Sequence, residues 1–309
     1  MDTPSNAARE PRLEAPAAAP SAPSPMSPLL WSLRRELWEN RSIYVAPLAV
    51  AVMFLAGFAI STVRLPDKMR AAAALDPMQQ RAALSAPYDM ASGLMMLVAV
   101  LVGVFYSLDA LYGERRDRST LFWKSLPVSD LTTVLAKAAV PILVLQLVAF
   151  AVTVAMQLLM LALSSAVLAA SGQGVGALWS ALSPLRMWLL LLYHLLAVHS
   201  LSHAPIYAWM LLVSAWASRT PLLWAVLPPI AVGFFEKVVF GSTHFLALVG
   251  DLVSGGSAAM SMPGTFPTHP MTHLTPGLLM ISPGLWAGLV LTAVFLAGAV
   301  RLRRSAGPL

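Results

Sequence analysis

An all-α fold with six transmembrane helices is predicted by three observations on this chain of 309 residues. Hydrophobic residues fill 58% of positions, charged residues only 11%, and mean hydropathy is +0.73, a balance far from that of soluble domains. Six apolar runs are long enough for a ~30 Å hydrocarbon core, which takes roughly 20 residues at 1.5 Å each. They lie near residues 43–63, 90–108, 136–163, 187–213, 221–240 and 284–300. Finally, with the N-terminus placed inside, twelve Lys and Arg flank the spans on the inner side and six on the outer. This bias puts both termini in the cytoplasm and makes the chain a multi-pass protein.

The elements follow in order. Residues 1–28 are rich in Pro, Ala and Ser and hold no apolar run, so they read as a disordered cytoplasmic tail and not as a signal peptide. Over 29–41, Leu30, Leu33 and Leu37 fall at helical spacing with Trp31 and Trp38 beside them, while Arg34, Arg35, Glu36 and Glu39 sit mostly on other faces. Such a helix is expected to lie in the membrane interface. The first outer segment, 64–89, carries an Ala-rich helical stretch, and the others are 164–186 and 241–283. Pro228-Pro229 predicts a kink in the fifth span, since neighbouring helices can satisfy the backbone groups that proline frees. Gly284 and Gly288 form a weak G-x-x-x-G packing signal in the last span.

Several chemistries are excluded or disfavoured. Cysteine is absent, which removes disulfides, thiol nucleophiles and thiolate metal sites. The net charge of +6 is spread beside apolar segments instead of gathered on a soluble domain, so nucleic acid is not an expected partner. No G-x-x-x-x-G-K-[ST] occurs. The nearest glycine cluster, Gly172-Gln173-Gly174-Val175-Gly176, is followed by Ala177, so the chain is not expected to hydrolyse ATP or act as an enzyme by itself.

The loop after the second span is the most informative stretch. Glu114, Arg115, Arg116, Asp117 and Arg118 form a charge run, followed by Phe122, Trp123 and Lys124 and a Ser125-Leu126-Pro127-Val128-Ser129 turn. Aromatic side chains on a polar loop need lipid headgroups or a protein groove, so this loop reads as the grip of another protein.

The run from Tyr112-Gly113-Glu114 to Pro127-Val128-Ser129, with Lys137 at the start of the next span, resembles the membrane subunits of ABC-2 type exporters. A second matching stretch runs from Ala204-Pro205-Ile206-Tyr207 to Leu227-Pro228-Pro229. The resemblance covers most of the chain beyond residue 29. It implies a permease domain over 29–309 with an amphipathic elbow helix at 29–41, six spans, a coupling loop at 109–133 and an outer loop at 241–283. It also implies two permease subunits, identical or different, driven by separate cytoplasmic ATP-binding subunits that carry the ATP and Mg, with no cofactor in this chain. Relatives of this kind move lipids, polysaccharides, peptides and drugs across the inner membrane. The tail before residue 29 has no counterpart in the pattern.

Other constellations are weighed beside this reading. His199 and His203 share a helix face in the fourth span, whereas His194 lies about 140° away. Two imidazoles one turn apart can ligate metal or haem, but with no third ligand nearby, interhelical hydrogen bonding or a polar cavity is the stronger reading. Gln146, Thr153 and Gln157 fall within about 40° of one another on the third span, a stripe expected to line a substrate path or, preferably, to join two permease subunits. Glu236, an acid late in the fifth span, is either an interfacial residue or part of a gate. Met260, Met262, His269, Met271 and His273 in the outer loop are weak Cu(I) candidates. Methionine is abundant, at 16 copies, and apolar filling explains the cluster better. The rivals to an exporter subunit are a non-transporting scaffold or sensor bound to an ATPase, and a metal- or haem-binding membrane protein.

Overall fold

The computed structural model describes residues 26–117, 128–253 and 280–305. Arg118, Phe122, Trp123, Lys124 and the Met260–His273 cluster lie outside the described residues. Among those described, the secondary structure is helical throughout, with no strand. The helices are α1 (Met26–Glu39), α2 (Ser42–Thr62), α3 (Leu65–Ala72), α4 (Pro77–Asp109), α5 (Tyr112–Arg116), α6 (Asp130–Ala139) and α7 (Leu145–Ala170). They continue as α8 (Gly176–Leu182), α9 (Pro184–Tyr193), α10 (Ser200–Trp216), α11 (Pro221–Phe240), α12 (His244–Val253) and α13 (Pro283–Ser305). A π-helical turn, Val140–Val144, joins α6 to α7, and a second, His194–His199, joins α9 to α10. Six helical stretches are long and apolar enough to cross a membrane, and they coincide with the six apolar runs of the sequence.

Helix boundaries follow cap chemistry more closely than hydropathy. The second apolar run begins near residue 90, yet α4 begins at Pro77 because Asp76 Oδ1 accepts from the Met78 and Gln79 amides at 3.0 Å, with proline at the first helical position. Ser129 likewise caps α6, accepting from Thr132 N at 3.0 Å. At Ser183-Pro184 and Thr220-Pro221 the residue before proline, disfavoured in the right-handed region, takes the left-handed one at φ 43° and 45°, and a new helix starts at the proline.

The bundle is built around α4, α7 and α10. Helix α2 packs on α4 and α7, α4 packs on α7 and α10, and α13 lies along α10. Two apolar cores result. One, at the α1 end, gathers Ile43, Tyr106, Leu111, Val134, Leu145, Leu211 and Ala299, with Leu33 and Leu37 of α1 against it. The other, at the far end, gathers Ala51, Leu84, Tyr88 and Leu168 with Met69, Met95, Met156, Met160 and Met187. Methionine serves there as adaptable filler. Helix α11 is different: only 11% of its apolar window is buried, against 44% for α4.

Helix α1 departs from the arrangement expected of a simple interfacial helix. Its Glu36 is buried on the same side as Leu33 and Leu37, while Trp31 and Trp38 are 68% and 72% exposed. The Arg34 guanidinium lies over both indoles, at 5.8 and 5.3 Å. A face bearing a charge is therefore turned into the protein, and an aromatic face is turned out.

Candidate functional site

The charged segment after α4 is folded into the α1 end of the bundle by an ion network. Lys137 of α6 stands between two carboxylates, 2.7 Å from Glu36 Oε1 and 3.1 Å from Glu114 Oε1. Glu114 also pairs with Arg303 at 2.6 Å and Arg35 at 3.2 Å. Arg303 Nε reaches Asp130 at 3.0 Å, and Arg35 Nε reaches Glu39 at 2.8 Å. Tyr106 of α4 donates its hydroxyl proton to Glu36 Oε2 at 2.7 Å. Thus α1, α4, α5, α6 and α13 meet at one set of charges.

Glu36, Glu114, Lys137 and Arg303 are all buried. Desolvating such charges costs several kcal/mol each, and that cost is offset only when each is paired and hydrogen-bonded with good geometry, as they are here. At Arg35 burial works against the charge, but the neighbouring Glu39, Glu36 and Glu114 carboxylates outweigh it and hold the guanidinium above the ordinary arginine range.

Helix α5 is fastened to α10 by a reciprocal pair of caps. Ser214 Oγ of α10 accepts from the Leu111 and Tyr112 amides at 3.0 and 2.8 Å, supplying the acceptor that the start of α5 lacks. In return Arg115 donates to the carbonyls of Ala215 and Ala217, at 2.6 and 3.2 Å, where the end of α10 leaves carbonyls without helical partners. The expected contact residues therefore divide into two sets. Glu114 and Arg115 point into the fold, whereas Arg116 and Asp117 are exposed and paired at 3.1 Å. A cleft of about 330 Å³ opens over the network, bordered by Glu39, Asp109, Gly113 and Asp117.

The polar stripe of the third span is buried inside one chain. Gln157 donates to Tyr88 O and Ser92 Oγ at 3.1 and 2.9 Å and accepts from Trp188 Nε1 at 3.0 Å, so it joins α4, α7 and α9. Thr153 donates to Ala149 O. Gln146 Nε2 donates to Pro141 O at 3.1 Å, five residues back, where the π turn releases a carbonyl. In the second π turn Ser200 Oγ donates to Leu195 O at 2.8 Å, beside the backbone N–H of the same serine.

His199 and His203 stack as their spacing predicts, with ring centroids 4.2 Å apart, and Tyr207 continues the stack at 6.3 Å. The Tyr207 ring lies against Gly103, where an added Cβ would come within 2.7 Å of it. His199 Nε2 is buried with no hydrogen-bond partner among the described residues, and the Tyr207 hydroxyl lies beside the Gln146 side chain. His194 turns elsewhere, to Leu190 O. Glu236 closes the turn after α11 and caps α12, accepting from Ser242 Oγ at 2.7 Å and from the His244 and Phe245 amides at 2.8 Å.

Sequence reasoning missed the network partners Glu36, Tyr106, Asp130 and Arg303, and the cap Ser214. One signal was present. A lysine inside the first turns of an apolar run is costly unless an acid meets it, so Lys137 called for a carboxylate partner that sequence spacing could not name. No protein-family model, curated protein or solved structure matches the chain.

Proposed function

We propose that the chain is the membrane-spanning subunit of an ABC-2 type exporter in the inner membrane, with both termini in the cytoplasm. A second permease subunit completes the path, and separate cytoplasmic ATP-binding subunits supply the energy. The observation that carries this reading is the junction at residues 111–117. Ion pairs and reciprocal caps tie it to α1, α6, α10 and α13, so force applied to the adjoining loop reaches several spans at once. A mere connection between two spans has no need of that anchorage. The exposed Arg116 and Asp117, with Arg118, Phe122, Trp123 and Lys124 of the adjoining loop, are the proposed contact with the ATP-binding subunit, while Glu114 and Arg115 hold its base. Nucleotide drives transport insofar as it favours one arrangement of the spans over the other.

The test is affinity purification of the tagged chain in mild detergent, with identification of co-purifying proteins and assay of ATP hydrolysis. A stoichiometric ATP-binding subunit is expected, and Trp123→Ala is expected to release it without lowering the melting temperature of the chain. Retention of the subunit by Trp123→Ala refutes this placement of the contact. An intact, folded chain with no ATP-binding partner refutes the exporter reading.

A further inference from the structure

At the end of the bundle opposite the ion network, a cavity of about 440 Å³ lies among the ends of α2 and α7, helix α3, the first turns of α4, and α8. Its volume falls within the range of small-molecule sites. The wall is almost wholly apolar, formed by Phe58, Leu65, Leu75, Leu84 and Leu178 among others. The Ser61 and Thr62 hydroxyls on the wall donate to Phe58 O at 2.9 and 2.7 Å, which leaves two polar features. Lys68 borders the cavity and makes no ion pair among the described residues, its neighbours Asp67 and Arg70 being paired with each other at 3.5 Å. Deeper in, the Tyr88 and Ser164 hydroxyls lie 3.3 Å apart. Their mutual hydrogen bond uses one of two protons, and neither hydroxyl makes another bond among the described residues, so one donor remains for an oxygen acceptor.

We propose that this cavity binds one acidic, ester-linked amphiphile of the glycerophospholipid kind. Its acyl chain occupies the apolar space, its phosphate meets Lys68, and an ester oxygen accepts the spare hydroxyl proton. The location favours this occupant. Phe58, Ser61 and Thr62 end the first apolar run, Ala83 to Tyr88 precede the second, and Ser164 follows the third, which sets the cavity at the boundary between hydrocarbon and headgroups. There phospholipid is the most abundant apolar ligand, and Lys68 selects among headgroups by charge. The proposal rests on the chain crossing a bilayer and not on a motor subunit, so its failure leaves the exporter reading untouched.

The test is native mass spectrometry of the delipidated, purified chain titrated with dioleoyl phosphatidylglycerol or dioleoyl phosphatidylcholine in mixed micelles. One phosphatidylglycerol per chain is expected, preferred over phosphatidylcholine by about fivefold, as a partly exposed charge pair allows. Lys68→Gln is expected to abolish the preference, and Ala86→Phe, which fills the cavity, to remove the bound lipid. Arg81→Gln, outside the cavity, is expected to change neither. Melting temperatures measured alongside establish that each variant is folded. Equal binding of the two lipids by the unmodified chain, displacement of both by detergent alone, or undiminished binding in folded Ala86→Phe overturns the proposal. In the complex with an ATP-binding subunit, loss of the lipid on ATP turnover identifies the occupant as cargo, and its persistence identifies a resident lipid.

Discussion

Replacing Lys137 by methionine is the sharpest probe of the α1 end. The lysine side chain is 3% exposed and lies within 3.1 Å of two carboxylates. Among the described residues the network holds three cations, Arg35, Lys137 and Arg303, against four carboxylates, Glu36, Glu39, Glu114 and Asp130. Methionine, one atom shorter and uncharged, keeps the apolar stem and leaves two of these cations against the four carboxylates. Glu114 keeps Arg35 and Arg303, whereas Glu36 is left with neutral donors, the hydroxyl of Tyr106 and the amide of Asn40. Removing one member of a buried pair costs about 3–5 kcal/mol, or a fall of roughly 6–20 °C in melting temperature at 2–4 °C per kcal/mol. Unfolding in detergent, followed through the tryptophan fluorescence, measures it. The double variant Lys137→Met, Glu36→Gln removes one charge of each sign and is expected to recover about 1–3 kcal/mol relative to the sum of the single changes. A single-variant cost below about 1 kcal/mol, the level of an exposed pair, or strict additivity in the double variant refutes the buried-network argument.

Four further outcomes are expected. Gln157→Leu leaves the Trp188 indole N–H without its acceptor and cuts two bonds to α4, so it lowers stability by about 1–2 kcal/mol in the same unfolding assay. Ser214→Ala orphans one buried and one partly buried amide and is expected to cost about 2 kcal/mol, while Ser214→Thr, which keeps the hydroxyl, restores most of the loss. Gly103→Ala drives a methyl group into the Tyr207 ring and costs about 1–3 kcal/mol, and adding Tyr207→Leu relieves it. Asp76→Ala removes an exposed cap and lowers stability by about 1 kcal/mol, with the bound-lipid stoichiometry unchanged.

The spans were legible in the sequence because hydrophobicity and length are local properties, and each apolar run became a helix near its expected place. The far start of α4 was less so, since hydropathy ignores the cap at Asp76-Pro77 that sets it. The pairing of His199 with His203 follows from a spacing of four. The ion network was illegible for a different reason. Glu36, Glu114, Lys137 and Arg303 come from four separate stretches of chain, and no periodicity relates residues that meet only after the bundle closes. Charge counting assigned Arg303 and Arg35 to orientation alone, although both also serve as partners for Glu114. The Gln146, Thr153 and Gln157 stripe was read as lining a substrate path or, preferably, joining two permease subunits, whereas the bonds it makes lie within one chain. Which partners it finds, helices of the same chain, depended on packing.

These features divide the molecule into parts of unequal stiffness. At the α1 end, charged groups with fixed partners join five helices, and displacing one element breaks several of those bonds at once. Immediately beyond, the helices leading away pass through the two π turns, Val140–Val144 and His194–His199, where backbone bonds reach five residues back instead of four and Gln146 and Ser200 add side-chain donors. Side-chain bonds of this kind break and re-form at lower cost than a helical turn, and π turns frequently mark functional positions. His199 Nε2, which has no partner among the described residues, lies at this level of the bundle, where a change of helix register would offer it one. A force delivered at α5 is therefore expected to move the α1 end as a block and to be taken up as bending at the π turns, which places the moving joint of the proposed exporter inside the membrane and away from the loop that is pushed.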